Sequence, residues 1–245
     1  MRPPRFLVSD RLAVGETIVL PLACSHHALH VLRLRARDSL ILFDGKGSEF
    51  EAFLVPDPRS AARCRATITR GGPVDREARL HITVVQALSA QEKVDWLLEK
   101  AVELGADRII LASATRSVVR LSAARRQRRV ERWRDIAAAA CAQCGRNRLP
   151  VIDVAEDLAA ALASAPDAAS RWLLEPSAQS GLTRVASGAS VALAVGPEGG
   201  FTAEETALAH SLGYVSARLG RRVLRTETAA LAAMCALLAW EGEFS

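Results

Sequence analysis

The stretch AVGPEGGFTAEE, residues 194–205, decides how this chain is read. The apolar run VALAVGP leads into it, and Thr202 with Glu205 forms a capping box that opens a helix behind it. A glycine loop between a strand and a helix is where nucleotide-like ligands often bind. A P-loop, however, needs Lys and Ser/Thr after its last glycine, and a dinucleotide fingerprint needs GxGxxG. Neither pattern is present. Glu198 also sits inside the loop, where a carboxylate repels phosphate.

A ligand that carries positive charge and no phosphate suits such a loop better. S-adenosylmethionine, with an adenosine, a sulfonium and an amino-acid tail, is one. Gly199 and Gly200 let the backbone approach it closely. Taken alone, the loop reads equally well as a turn that simply needs glycine.

A second constellation follows, LGRRVLRTETAA at 219–230. Strand residues end at Gly220, a basic loop comes next, and Thr226 is expected to cap a terminal helix. Open α/β sheets place ligands at loops leaving the carboxyl ends of parallel strands. Two such loops on neighbouring strands would line one pocket. Arg221, Arg222 and Arg225 by themselves read as a solvated charge cluster.

Outward from these motifs, strands and helices alternate from LHITVVQAL onward: EKVDWLLEKAVELG, RIILAS, a helix from about 122 to 144, VIDVA, a short helix, WLLEP, VALAVGP, the capped helix, VSARLG, and a helix from about 226 to 240. That alternation predicts an α/β domain with a mainly parallel sheet and helices on both faces. Val94, Leu97, Leu98, Ala101 and Val102 share one helical face. In the 122–144 helix, Val130, Trp133 and Ile136 are the expected buried side. The first seventy residues read instead as a small β-barrel of short strands, FLV, TIVL, SLILF, EFEAFLV and RCRATIT, with the turn DGKG. One helix, SHHALHVLRL at 25–34, interrupts them, with Ser25 as its expected N-cap. GGPVDRE at 71–77 reads as a linker, which divides the chain into 1–72 and 73–245.

Composition narrows the function classes. The chain has 245 residues, half of them hydrophobic, and no apolar run near the roughly 18 residues of a membrane span. MRPPRFLVSDRL carries no apolar signal core, so a cytoplasmic protein is expected. Five cysteines make no disulfide framework, and the lone CxxC of Cys141 and Cys144 lacks a second pair, so reduced thiols are expected. His26 and His30 lie one helical turn apart with no third ligand type nearby, which favours RNA contact or packing over metal. Residues 115–150 hold ten arginines against Glu131 and Asp135, a net +8, whereas 151–217 are net −6. A concentrated basic segment suggests a polyanion-binding surface, although the general preference for arginine over lysine gives a compositional alternative.

GPEGGFTAEE followed some twenty residues later by LGRRVLRTETAA resembles the bacterial 16S ribosomal RNA uridine N3-methyltransferases of the SPOUT class. PRFLV, HHALHVLRLRARD, LFDGKG, EKAVELGADRIIL, TRSVV and AQCGRNRLP agree in order, so the resemblance covers essentially the whole chain. Glu99 stands where the family usually has Gln, and Thr115 where Glu usually precedes the arginine. The resemblance implies a PUA-like RNA-binding barrel, a trefoil-knotted methyltransferase domain and a homodimer. It implies an S-adenosylmethionine site made by Leu174, Gly196, Gly199, Gly200, Leu219, Gly220, Val223 and Leu224, and 16S rRNA within the small ribosomal subunit as partner.

The expected activity is methylation of one uridine at N3, with a non-catalytic ribosome-assembly factor and a tRNA methyltransferase of the same fold as alternatives. Uridine N3 must lose a proton to become a nucleophile, so Arg225 is expected to stabilise the developing negative charge and Glu198 to accept the proton. N3 lies on the pairing edge, so the target must be unpaired or flipped out. Arg5, His30, Arg33, Arg116, Arg120, Gln143 and Arg146 are the expected RNA contacts, and substitutions of Arg116, Arg120 and Arg146 are expected to spare cofactor affinity. Leu231, Met234, Leu237 and Leu238 give the terminal helix an apolar surface wide enough to suggest a second subunit over it, so Leu237→Glu is expected to favour monomers.

Overall fold

The alternating apolar residues near the N-terminus build a sheet with one buried face. The computed structural model describes residues 3–120, 122–165, 168–186 and 188–245. Its chain divides into two units, one holding the residues up to Glu77 with Cys141–Leu149, the other Ala78–Ala140 with Pro150–Ser245.

In the first unit, β1 (Arg5–Leu7), β2 (Thr17–Val19), β3 (Ser39–Phe43), β4 (Ser48–Pro56) and β5 (Cys64–Pro73) form a sheet in the order β1-β3-β4-β5-β2. β1 is parallel to β3 and the other pairings are antiparallel. Leu40 and Leu42, then Ala52 and Leu54, then Ala66 and Ile68 turn inward at every second position.

β5 runs on through Gly71 and Gly72, so the expected linker begins as strand. A Cβ on Gly71 would lie 2.4 Å from the Phe50 ring and 2.5 Å from the Glu49 carbonyl oxygen, and only glycine lets the strands cross there. The expected 25–34 helix is also different. It comprises α1 (Leu22–His26) and one π-helical turn, His27–Val31, with Pro21 at the N-cap. Ser25 lies inside α1, fully buried, where its hydroxyl donates to the Leu20 carbonyl and accepts from the Cys64 amide. It fastens the helix to β5 and caps nothing.

Two expected RNA contacts have structural duties in this unit. Arg146 is 4% exposed and paired with Glu77. Arg5 reaches Glu49 at 2.7 Å and the Asn147 side chain. Their guanidinium groups are spent inside the unit, so a contact with RNA is not what they are built for. Arg76 grips Glu49 as well, at 2.7 and 2.8 Å. Arg76, with Arg5, outweighs burial and holds the Glu49 carboxyl at about 2, below its ordinary 4.5. A carboxyl lowered in the folded state stabilises fully above pH 4.5, and the gain disappears as pH falls towards 2. Glu49→Gln is therefore expected to cost up to about 3 kcal/mol at neutral pH and to flatten the acid limb of thermal stability across that window. Melting curves at stepped pH check both. The Cys141 thiol, pushed up to about 12 by burial, donates to the Arg148 carbonyl and is held as an inert thiol.

In the second unit, β6 (His81–Ala87), β7 (Arg108–Ala112), β8 (Val151–Val154), β9 (Ser170–Leu174), β10 (Ser190–Val195) and β11 (Val215–Ala217) make an all-parallel sheet, as expected. Its order is β11-β9-β10-β6-β7-β8. The chain starts at the centre, builds β7 and β8 outward, then crosses to the other side, so the sheet has a switch point between β6 and β10. The helices are α2 (Gln91–Glu103), α3 (Ala123–Cys144), α4 (Leu158–Ser164), α5 (Ala203–Ser211) and α6 (Thr226–Trp240).

Val85, Ala87, Ala192 and Ala194 pack with Leu158 and Leu162 of α4 and Ala209 of α5. Gln86, between Val85 and Ala87, points to the other face and meets α6. Helices thus cover both faces. α2 buries the five residues its periodicity marks. In α3 the buried stripe is Trp133, Ala137, Ala140 and Cys141, while Val130 and Ile136 are half-buried. Trp133 Nε1 donates to Asp95 of α2 at 3.0 Å, which sets the helix rotation. Leu231, Met234, Leu237 and Leu238 are all buried within one chain, where α6 packs on β6, β10 and α2. The apolar width of α6 is thereby accounted for without a second subunit.

Candidate active site

Because β9, β10 and β11 are parallel and adjacent, the loops leaving them emerge at one edge of the sheet. They line a cavity of about 450 Å3. Leu174, Gly196, Gly199, Gly200, Leu219, Val223 and Leu224 all line it, together with Glu198 and Arg225. Two motifs some twenty residues apart are brought to one site, as the sequence suggested. Gly220 is absent from the lining; at φ 73° it turns the chain between Leu219 and the basic loop.

The walls are largely apolar, from Leu174, Val195, Ala217, Leu219 and Leu224. The volume suits a small organic ligand, for which sites run roughly 300–1,000 Å3. Glu175 adds a carboxylate, held by the Thr206 hydroxyl at 3.2 Å and the Ser216 hydroxyl at 2.8 Å.

The glycine loop is pinned from four directions. Thr226 is the first residue of α6, not its N-cap, which is Arg225. The buried Thr226 hydroxyl donates to the Gly196 carbonyl and accepts from Gln86 Nε2 at 2.7 Å. Arg116, on the loop after β7, donates to the Gly199 carbonyl at 2.9 Å and the Phe201 carbonyl at 3.2 Å. Lys93 of α2 bonds Glu198 at 2.8 Å. The expected capping box of Thr202 and Glu205 is formed, and the other Glu205 oxygen accepts from the Thr115 amide at 2.7 Å. Thr115, where the family usually has Glu, contributes through its backbone.

These contacts change the expectations for Arg116 and Glu198. Arg116 holds the cavity wall, so its loss cannot leave ligand affinity untouched. A Cβ on Gly199 would meet Arg116 Cβ at 3.2 Å, so bulk there displaces the clamp as well as the loop. Glu198 is neutralised by Lys93, which weakens the argument that its charge alone turns phosphate away. Burial raises the Glu198 carboxyl, but the Lys93 bond and its own amide outweigh burial and leave it below the ordinary value. It is therefore a weaker proton acceptor than a free glutamate. Arg225 is exposed at the cavity.

Of the remaining expected RNA contacts, Arg120 is exposed and lines a second cleft with Glu156, Asp157 and Glu205. His30, Arg33 and Gln143 are exposed on the first unit. His30 stacks obliquely on His26 with centroids 5.0 Å apart. Gln86, Lys93, Glu175 and the Thr226 node were missed by sequence reasoning. A glutamine inside the apolar run ITVVQAL was the one available signal, since a buried amide needs a partner.

Comparison with known proteins agrees with this geometry. Residues 76–238 match an RNA methyltransferase domain and residues 25–65 an RNA methyltransferase PUA domain. The Mycobacterium bovis ribosomal RNA small subunit methyltransferase E is 34% identical over 86% of this chain and 82% of its own length. Its Bacillus subtilis namesake is 30% identical over 86% of each chain. A Neisseria gonorrhoeae ribosomal RNA small subunit methyltransferase E, solved with S-adenosylmethionine bound, superposes with a TM-score of 0.86 at 34% identity, covering 98% of both chains. A Legionella pneumophila structure with the same cofactor reaches 0.90 at 30% identity, again over 98% of both. On these matches, the chain belongs to the RNA methyltransferase family of the ribosomal RNA small subunit methyltransferase E proteins.

Proposed function

We propose that this protein methylates N3 of one uridine in 16S rRNA, using S-adenosylmethionine. The observation that carries the reading is the apolar cavity formed by three strand-end loops, in a chain of this family. The residues fit the cofactor: apolar walls for an adenine, backbone groups of the glycine loop for its polar edges, and the Glu175 carboxylate for a positive group. When bound, the cofactor supplies an electrophilic methyl group on a sulfonium.

Arg225 stabilises the negative charge that spreads onto the uracil oxygens as N3 loses its proton. Glu198, ionised and tied to Lys93, is the carboxylate of the cavity loop and the candidate acceptor of that proton, as a weak base. Arg116, Thr226 and Lys93 keep the loop in place. The reading includes a trefoil knot, a cytoplasmic setting and a homodimer. Exposed Trp96 and Trp240 provide apolar surface for self-association. Among the described residues no helix is long and apolar enough to cross a membrane.

Mass mapping of 16S rRNA from a deletion strain tests the reading: one N3-methyluridine should vanish and return with the wild-type gene. An unchanged map with intact cofactor binding would favour a non-catalytic assembly factor, and transfer to tRNA instead of rRNA would favour a tRNA enzyme.

Arg116→Ala is expected to weaken cofactor binding about tenfold, since two charge-assisted hydrogen bonds at a partly exposed site are worth about 1.4 kcal/mol or more. Calorimetry measures it. Arg116→Lys should recover part of the loss, because one nitrogen, Nη1, makes both bonds and an ammonium with three donors can take its place.

A further inference from the structure

We propose that one end of the N-terminal sheet, built by the loop before β3 and the turn between β4 and β5, grips the sugar-phosphate backbone of the RNA. This rests on the proposed RNA substrate and names the surface that holds it. Arg33, Arg35 and Arg37 come from the first segment, Arg59 and Arg63 from the second, and Arg65 from the start of β5. The backbone joins them. The Arg37 amide bonds the Leu54 carbonyl at 2.8 Å, and Arg65 pairs with Val55, so the two arginines flank β4 at successive positions. Across two strand spacings that is about 10 Å.

The arginines of this unit divide by duty. Arg5, Arg70, Arg76 and Arg146 are each held by a carboxylate, of Glu49, Glu51 or Glu77. Arg5, Arg70 and Arg76 attach to the β4 end opposite the turn, where Ser48 pairs with Pro73. None of the six at the turn end has a guanidinium hydrogen bond or ion pair among the described residues. The acids beside them, Asp38 and Asp57, accept from the backbone amides of Arg35 and Arg59 and shape the turns. Five of the six side chains are exposed; Arg65 is half-buried, and its Nε is buried without a partner.

Arg59, Arg63 and Arg65 border a cleft of about 490 Å3 that also takes in Val19. Arg33 and Arg37 sit at φ 54° and 71°, a left-handed backbone that non-glycine residues adopt at a cost. The Leu34 amide to the Ala28 carbonyl and the Arg37 amide to the Leu54 carbonyl keep them there. Exposed Val19, Val31 and Leu32 adjoin the arginines in sequence or in the cleft, and offer apolar surface to ribose and base faces. Uncompensated guanidinium forks beside aliphatic surface fit an unpaired RNA strand.

The test is anisotropy of a labelled, unstructured oligouridylate with the full chain across a salt series. Arg59→Gln/Arg63→Gln/Arg65→Gln should bind at least about tenfold more weakly and lose about 2 from the slope of log affinity against log salt, at about 0.7 per phosphate contact on a single strand. Arg33→Gln/Arg35→Gln should also bind more weakly and lose about 1.4 from the slope. Arg70→Gln should not, because that arginine is already paired. Cofactor affinity should hold throughout. Should the triple variant not fold, Arg63→Gln alone, an exposed side chain without partners, should still lower the slope by about 0.7. Folded variants with wild-type affinity and slope would overturn the assignment of this surface, whichever other macromolecule it then served. A wild-type protein that neither binds RNA nor methylates rRNA would overturn the functional reading instead.

Discussion

Leu237→Glu is expected to destabilise the second unit strongly, not to split a dimer. Leu237 is 1% exposed in the single chain, and its neighbours on α6, Met234 and Leu238, are 0% and 1% exposed. A glutamate there would lie between α6 and the elements it packs on. An unpaired buried carboxylate together with lost apolar packing costs about 4 kcal/mol or more, against a typical total stability of about 5–15 kcal/mol. For a chain of this size that lowers the melting temperature by roughly 8–16 °C, at about 2–4 °C per kcal/mol. Thermal unfolding followed by circular dichroism measures it. Trp240→Glu, at a side chain that is 38% exposed on the same helix, should melt close to wild type and is the variant that reports on self-association in the ultracentrifuge. A Leu237→Glu protein that melts with the wild type would show that α6 is not held as the structure has it.

The same residues show how far the sequence could be read. Periodicity identifies α6 and its apolar side chains but cannot say what covers them, because burial against the same chain and against a second one leave the same pattern. α2 is fully legible, since its buried positions are large and regularly spaced. α3 is not, since half of its buried stripe is alanine and its rotation depends on one bond from Trp133 to Asp95. The strands were legible from alternation, and the capping box from two residues at fixed spacing. Gly71 and Gly72 read as punctuation when they are strand residues, because a turn and a close crossing both demand glycine. The cavity wall was legible through its two motifs, but what holds the wall was not. Arg116 comes from a loop about eighty residues upstream of its partners and carries a charge that reads naturally as an RNA contact. Charge in a sequence does not reveal whether a carbonyl or a phosphate will receive it; in the first unit only the pairing of Arg5 and Arg146 with carboxylates separates them from the arginines at the turn end.

Thr226→Val is expected to remove most of the methyltransferase activity while keeping the protein folded. The substitution is close to isosteric, so the packing of α6 is preserved. What disappears is one hydroxyl that joins three elements: it accepts from Gln86 at the end of β6, donates to the Gly196 carbonyl at the head of the glycine loop, and belongs to the first turn of α6. All of this is buried, so water does not readily replace it. Gln86 Nε2 retains its 3.0 Å bond to the Ala87 carbonyl, but the Gly196 carbonyl loses the Thr226 donor. Each group so stranded costs about 1–3 kcal/mol. The loop can relieve that cost by turning the Gly196 carbonyl towards the cavity, where it would take space and hydrogen bonds from the adenosine. Cofactor affinity should fall by roughly 10- to 100-fold, equivalent to about 1.4–2.8 kcal/mol, and kcat should fall with it if the loop no longer aligns the methyl donor. Thr226→Ser retains the hydroxyl and should recover most of both, which separates the hydrogen bond from the packing of the methyl group. Calorimetry with the methyl donor, set beside melting curves for the three proteins, decides the matter. If Thr226→Val binds the donor like the wild type, the Thr226 node is a matter of folding stability alone, and the glycine loop is held by Arg116 and Lys93 without it.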